Sequence, residues 1–146
     1  MEPTLIAILA AALSIILCSG AALLRIKTCA PALASVTSEK PELGSKLVIA
    51  IILGEALAIY GLLIAFMIIG RLPEISTEND AMLTLISAIT MGSTAIMASI
   101  GISYTGPAMM AAAVEKDASF TTNILGLVLS EALAIYGLLI SFMILG

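Results

Sequence analysis

Four apolar runs alternate with three short polar segments along this chain, and their order predicts an architecture. Leu5 to Leu24 carries no charge and closes on Arg25 and Lys27, the pattern of a membrane helix ending at a basic interface. Pro31 then removes a backbone donor, so this helix either ends near there or continues with a kink. The segment 37–44 is polar and rich in turn formers, and it leads into Leu47 to Gly70, apolar throughout except for Glu55. Arg71 to Asp80 is an acidic connection containing Pro73. Ala81 to Gly101 is a third apolar run, with Pro107 beyond it. A second polar turn, Glu115 to Ser119, precedes the last run from Thr121 to Gly146. The pattern predicts an all-α integral membrane protein with four transmembrane helices in two tandem hairpins. The first hairpin covers 1–70, with helices at about 3–30 and 45–70. A connecting loop covers 71–80, and the second hairpin covers 81–146, with helices at about 81–106 and 121–146.

The hairpins are copies of one another. Residues 54–70 read GEALAIYGLLIAFMIIG and residues 130–146 read SEALAIYGLLISFMILG, differing only at Gly54/Ser130, Ala65/Ser141 and Ile69/Leu145. Glu131 lies 76 positions after Glu55, Tyr136 lies 76 after Tyr60, and Pro107 lies 76 after Pro31. Glu39-Lys40 and Glu115-Lys116 keep the same register. One offset across both helices and the turn identifies a duplicated hairpin. Each unit has an even number of spans, so the two share one orientation across the membrane, unlike the inverted repeats of many transporters.

Composition agrees. Hydrophobic residues make up 61% of the chain and mean hydropathy is +1.20, against about half apolar in soluble domains. The 146 residues hold four spans and short connections, with no room for a separate soluble domain. The net charge of −4 gives no support to a nucleic-acid partner. Histidine is absent, and Cys18 and Cys29 cannot build a zinc site; both read as small packing residues, and no metal or cofactor is expected. The N-terminal Met-Glu-Pro-Thr lacks a positive n-region, so the first run is expected to persist as a span. The intra-hairpin turns and their flanks hold Arg25, Lys27, Lys40, Lys46 and Lys116, whereas the other side has Arg71 among Glu2, Glu74, Glu78 and Asp80. The positive-inside bias then makes the turns of this multi-pass chain cytoplasmic.

The first and third helices share a stripe of small side chains: Ala11, Ser14, Cys18 and Ala22, matched by Ser87, Thr90, Thr94 and Ala98. Spacings of three, four and four place each stripe on one helical face. In lipid, such faces mark where backbones approach closely. The stripe is either packing within the four-helix unit or the crowded inner side of a tight assembly.

Glu55 and Glu131 are the chemically informative residues. Glu55 lies nine residues past Lys46 and fifteen before Gly70, about 13 Å and 22 Å along a helix. An ionised side chain at that depth costs at least about 2.5 to 3.5 kcal/mol. The neutral acid can face lipid, but its anion needs a partner. Arg25 and Lys27 are expected near the cytoplasmic end, at the wrong depth to be permanent counter-ions. A carboxyl that takes up and releases a cation is therefore favoured over one donating a structural hydrogen bond. A sodium ion needs several oxygen ligands, and Ala56, Leu57, Ala132 and Leu133 supply none; Ser130 precedes Glu131, but its counterpart is Gly54. Tyr60 and Tyr136 are candidate hydrogen-bond donors to a carboxyl. Five residues turn a helix by about 140°, so a neighbouring helix is the expected recipient. The alternative for the tyrosines is interfacial packing. The balance favours a proton.

With its two hairpins, the Glu-Lys-Pro-Glu turn at 39–42 and a carboxylate on the second helix of each hairpin, the chain resembles the proteolipid c (or K) subunit of rotary ATPases, in the duplicated four-helix form of V-type and archaeal A-type enzymes. Glu-Ala-Leu-Ala-Ile-Tyr-Gly also resembles the segment around the proton-carrying glutamate of chloroplast-like F-type c subunits. The resemblance implies a homo-oligomeric c-ring in the lipid bilayer, with small-faced helices inside and carboxylate helices outside. It further implies a stator a/I-type subunit with a membrane arginine, and central-stalk subunits that couple rotation to ATP synthesis or hydrolysis. The chain would then be a non-catalytic, proton-translocating subunit of a prokaryotic cell membrane. Sodium-binding relatives carry Thr-Gln or Glu-Ser around the site and a glutamine on the first or third helix. Here Ala56-Leu57 and the hydrophobic residues around Ile26 and Ile102 stand instead, although Thr28, Ser99 and Ser103 leave Na+ as an alternative. Many duplicated V-type subunits keep one carboxylate, in the last hairpin. Both are kept here, which implies two ion sites per chain. The competing readings are a small four-helix proton-coupled transporter and a purely structural membrane protein.

Overall fold

A computed structural model describes residues 2–116 and 119–146. Helix α1 spans Pro3–Glu39. A 3-10 turn at Pro41–Leu43 and a short helix α2, Gly44–Leu47, lead into α3, Ile49–Gly70. A second 3-10 turn, Leu72–Glu74, precedes α4, Glu78–Glu115, and α5 covers Phe120–Leu145. Among the described residues, four helical segments are long and apolar enough to cross a membrane: Pro3–Glu39, Pro41–Gly70, Glu78–Glu115 and Phe120–Leu145. The chain is an all-α, multi-pass membrane protein. Of the second predicted turn, Asp117 and Ala118 lie outside the described residues.

Helix boundaries differ from those the apolar pattern predicts in two ways. α1 runs to Glu39 and α4 to Glu115, not to 30 and 106, so both helices continue past Pro31 and Pro107. A proline in a helix interior removes one hydrogen bond. Ending the helix in an apolar medium would leave several backbone groups unpaired, so continuation costs less. The second difference is at the connection, where 78–80 belong to α4 rather than to the loop. Thr77 caps this helix: its side chain accepts from Asp80 N at 3.2 Å, and Asp80 Oδ2 accepts from Thr77 N at 3.1 Å. This capping box, with Glu78 and Asp80 at the positive end of the helix, fixes the start of α4.

α1 and α4 form the centre of the molecule, with α3 packed on α1 and α5 on α4. Small residues permit the close approach. A Cβ at Gly61 would lie 2.5 Å from Cys18 Cβ, and a Cβ at Gly137 would lie 2.6 Å from Thr94 Cβ. These two contacts are related by the repeat offset of 76, so the duplication preserves a specific helix crossing. Ser14 Oγ donates to Gly61 O at 3.0 Å in the first hairpin. In the second, Ser87 and Ser141 each donate to the other's carbonyl, at 3.2 and 2.9 Å. Thus Ser14, Cys18, Ser87 and Thr94 of the small-residue stripe face the outer helix of their own hairpin. Ala11, Ala22 and Ala98 are buried, and Thr90 is half-buried. Ser99 Oγ donates to Ala21 O and Leu17 fills the space beside Gly92, joining α1 to α4. At the turn end, Lys40 Nζ donates to Val114 O, and Lys46 Nζ lies 5.0 Å from the centre of the Phe120 ring.

The buried apolar residues form two clusters stacked along the helices. One contains Ala22, Leu57, Ala98 and Ala134; the other contains Cys29, Ala50, Ile102 and Leu127. Arg25 falls between Ala22 and Cys29, and Glu131 between Leu127 and Ala134, so both occupy the layer where the clusters meet.

Candidate functional site

Arg25 and Glu131 form the polar centre of that layer. Arg25 on α1 is fully buried, Glu131 on α5 is 5% exposed, and Arg25 Nη1 donates to Glu131 Oε2 at 2.7 Å. The guanidinium passes α3 at Gly54, where a Cβ would lie 3.0 Å from Arg25 Nε. A side chain at position 54 would crowd the guanidinium and force it to shift. The contact is a single charge-assisted hydrogen bond rather than a two-point fork. Arg25 Nε and Nη2 and Glu131 Oε1 have no further hydrogen-bond partner among the described residues. Tyr60 on α3 is half-buried and within electrostatic reach of both charges, although it donates no hydrogen bond to Glu131 among those described.

This corrects the expectation that no membrane residue serves as counter-ion. The error follows from the helix boundary. Because α1 runs to Glu39, Arg25 lies fourteen residues from its end, about 21 Å along the axis. Glu131 lies eleven residues from the start of α5 on the same side, about 17 Å along the axis. Arg25 therefore stands inside α1 at the level of Glu131, not at a helix end.

Glu55 is placed differently. It is exposed on α3, and no hydrogen bond or ion pair among the described residues reaches it. Tyr136 is 61% exposed, whereas its counterpart Tyr60 is half-buried. Ser130 Oγ donates to Gly126 O of its own helix at 2.8 Å, not to Glu131. The structure thus brings Tyr60 near Glu131 and leaves Glu55 and Tyr136 on open faces of the chain.

A signal for Arg25 is present in the repeat. Its counterpart 76 residues on is Gly101, and Gly54 corresponds to Ser130. In the first hairpin the inner helix carries the large residue and the outer helix the glycine. In the second the order is reversed, and a Cβ at Gly101 would lie 2.6 Å from Ser130 Oγ. One of the three differences between the seventeen-residue copies is therefore the space that Arg25 occupies.

Comparison with known proteins matches the model of the ATP synthase C-subunit family twice, over residues 9–68 and 85–144, once in each hairpin. The 16 kDa proteolipid c subunit of the V-type proton ATPase of Rattus norvegicus is 28% identical over 112 residues, covering 77% of this chain and 72% of the relative. The second 16 kDa proteolipid of this c type from the V-type proton ATPase of Caenorhabditis elegans is 31% identical over 108 residues, covering 72% of this chain and 67% of the relative. The two family matches coincide with the two hairpins that the repeat defines.

Proposed function

We propose a function from the premise that this chain belongs to the ATP synthase C-subunit family: it is a rotor-ring component of a V/A-type ATP synthase or ATPase. Copies of the chain form a ring in the bilayer. Membrane glutamates carry protons past a stator a/I-type subunit, and central-stalk subunits couple ring rotation to ATP synthesis or hydrolysis in a soluble head. The chain itself catalyses no reaction. The observation that carries this reading is the exposed Glu55 carboxyl at membrane depth on the outer helix of a hairpin repeated in parallel. Such a group crosses lipid as the neutral acid and ionises where a cationic partner is supplied. The adjoining Ala56 and Leu57 offer no side-chain oxygen, which supports a proton over sodium. The intra-hairpin turns are assigned to the cytoplasm by their basic residues. A prokaryotic cell membrane is assigned by resemblance to the archaeal form, while the relatives named above are animal proteins.

The test is ATP-driven proton uptake by vesicles holding the intact complex, before and after modification of this chain by a carbodiimide. Modification of one chain per ring is expected to stop uptake, because one blocked carrier halts rotation. Uptake that continues after complete modification overturns the reading. Protection from modification by millimolar sodium assigns the carrier to sodium instead.

A further inference from the structure

We propose that the two glutamates have divided roles: Glu131 is held in a fixed ion pair by Arg25 and does not exchange the carried proton, and Glu55 is the single carrier of each chain, in a site completed by the second hairpin of the next copy. This deepens the rotor-ring reading and rests on it.

A carrier must alternate between carboxylate and acid, gaining one proton on one side and releasing it on the other. For Glu131 the acid form would leave Arg25 buried with its charge uncompensated, since the guanidinium keeps its proton in proteins. Arg25 is fully buried and its Nη1 lies 2.7 Å from Glu131 Oε2. The other titratable groups within electrostatic reach of Arg25 are Cys29 and Tyr60, and neither supplies a replacement carboxylate. A cation of its own chain therefore opposes protonation of Glu131. Among the described residues, no cation pairs with Glu55.

The repeat indicates what Glu55 meets in the assembly. Within the chain, Glu131 on the second hairpin pairs with Arg25, which lies against Gly54, and has Tyr60 within electrostatic reach, all three on the first hairpin. Each maps 76 positions on, to Gly101, Ser130 and Tyr136. If the relation between the hairpins of one chain is repeated between neighbouring copies, so that hairpins follow one another head to tail around a closed ring, Glu55 of one copy faces Gly101, Ser130 and Tyr136 of its neighbour. Glu55 and Tyr136 are both exposed in the single chain, so both sides of this contact are free. The inter-copy site then carries a tyrosine hydroxyl and no arginine. Ser130 occupies the space that a side chain at position 101 would need. Interfaces with and without an internal cation alternate around the ring, giving one exchanging carboxyl per chain instead of two.

Carbodiimide reacts with protonated carboxyls, so labelling of the intact complex, located by mass spectrometry, separates the two glutamates. Glu55 is expected to label at least tenfold faster than Glu131, with saturation at one label per chain. Arg25→Gln is expected to raise the Glu131 rate at least tenfold and the saturation to two labels. The division of roles is overturned if, in the unsubstituted and proton-pumping complex, Glu131 labels within threefold of Glu55 or ahead of it; that comparison needs no variant. If neither glutamate labels while uptake persists, the rotor reading itself falls.

Discussion

The two hairpins share a seventeen-residue stretch nearly residue for residue, yet Glu55 lies exposed on α3 while Glu131 is buried on α5 against Arg25. The duplicated stretch sets helix direction, depth and crossing contact, as the matched pairs Cys18/Gly61 and Thr94/Gly137 demonstrate. It does not set environment. That is determined by changes coupled across helices. Arg25 with Gly54 stands where Gly101 with Ser130 stands in the other copy, and Ala11 with Ala65 stands where Ser87 with Ser141 stands. The third change, Ile69 to Leu145, follows the connection. Leu145 is buried beside Arg71, Ile75 and Thr84, whereas Ile69 is exposed. Identical carboxylates thereby acquire different surroundings.

The largest expected effect breaks the comparison at its exposed member. Glu55→Gln removes a carboxyl that makes no described contact, so the helices should pack unchanged. ATP-driven proton uptake by vesicles should fall to background while the purified ring remains intact by electrophoresis. Loss of the ring would show instead that Glu55 is structural.

The buried member should respond in stability. Glu131→Gln strands the Arg25 guanidinium, and breaking one side of a buried pair costs about 3 to 5 kcal/mol. Replacing both, Arg25→Met with Glu131→Leu, removes the charge and its partner together, and the cost should fall to about 1 kcal/mol or less. Denaturation of the detergent-solubilised ring measures both. Equal destabilisation by the single and double changes would exclude the ion pair as the cause.

A smaller effect sharpens the part that the hairpins have in common. Gly61→Ala would bring a Cβ within 2.8 Å of Ser14 O, a backbone atom, and Gly137→Ala would drive one into Thr94 Oγ1. Overpacking of this kind costs about 1 to 3 kcal/mol. All the atoms near the new Cβ at position 137 belong to the Thr94 side chain, its Cβ included, so Thr94→Gly should rescue Gly137→Ala. Cys18→Gly removes the Cys18 atoms but leaves the Ser14 carbonyl at 2.8 Å, so it should rescue Gly61→Ala less well. Thermal melting of the four single and double variants checks the difference.

The fold was legible because its signals are long and repeated: four apolar runs and one offset. Glu55 and Glu131 were legible because a charge in an apolar run stands out. Arg25 was misread because Pro31 and Lys27 suggested a helix end, which moved the arginine to the interface. α1 instead continues past Pro31 to Glu39, and Arg25 stands at the level of Glu131 on α5. The different fates of Glu55 and Glu131 could not be read from the stretch that contains them. The determining residues, Arg25 and Gly101, lie on other helices, and only comparing the copies position by position reveals the exchange of size between Arg25/Gly54 and Gly101/Ser130.

The smallest expected effect concerns the serine pair that distinguishes the second hairpin. Ser87 and Ser141 exchange hydroxyl-to-carbonyl hydrogen bonds between α4 and α5, where the first hairpin has Ala11 and Ala65. Hydrogen bonds between membrane helices average about 0.6 kcal/mol. Each carbonyl here already accepts within its own helix, so loss of the hydroxyl leaves no backbone group unpaired. Ser87→Ala and Ser141→Ala together should therefore lower the stability of the ring by about 1 kcal/mol. Proton uptake and the labelling ratio of Glu55 to Glu131 should not change, because the pair lies more than two turns along α5 from Glu131. A shift in that ratio would couple the serine pair to the carboxyl and refute the view that each coupled change acts locally.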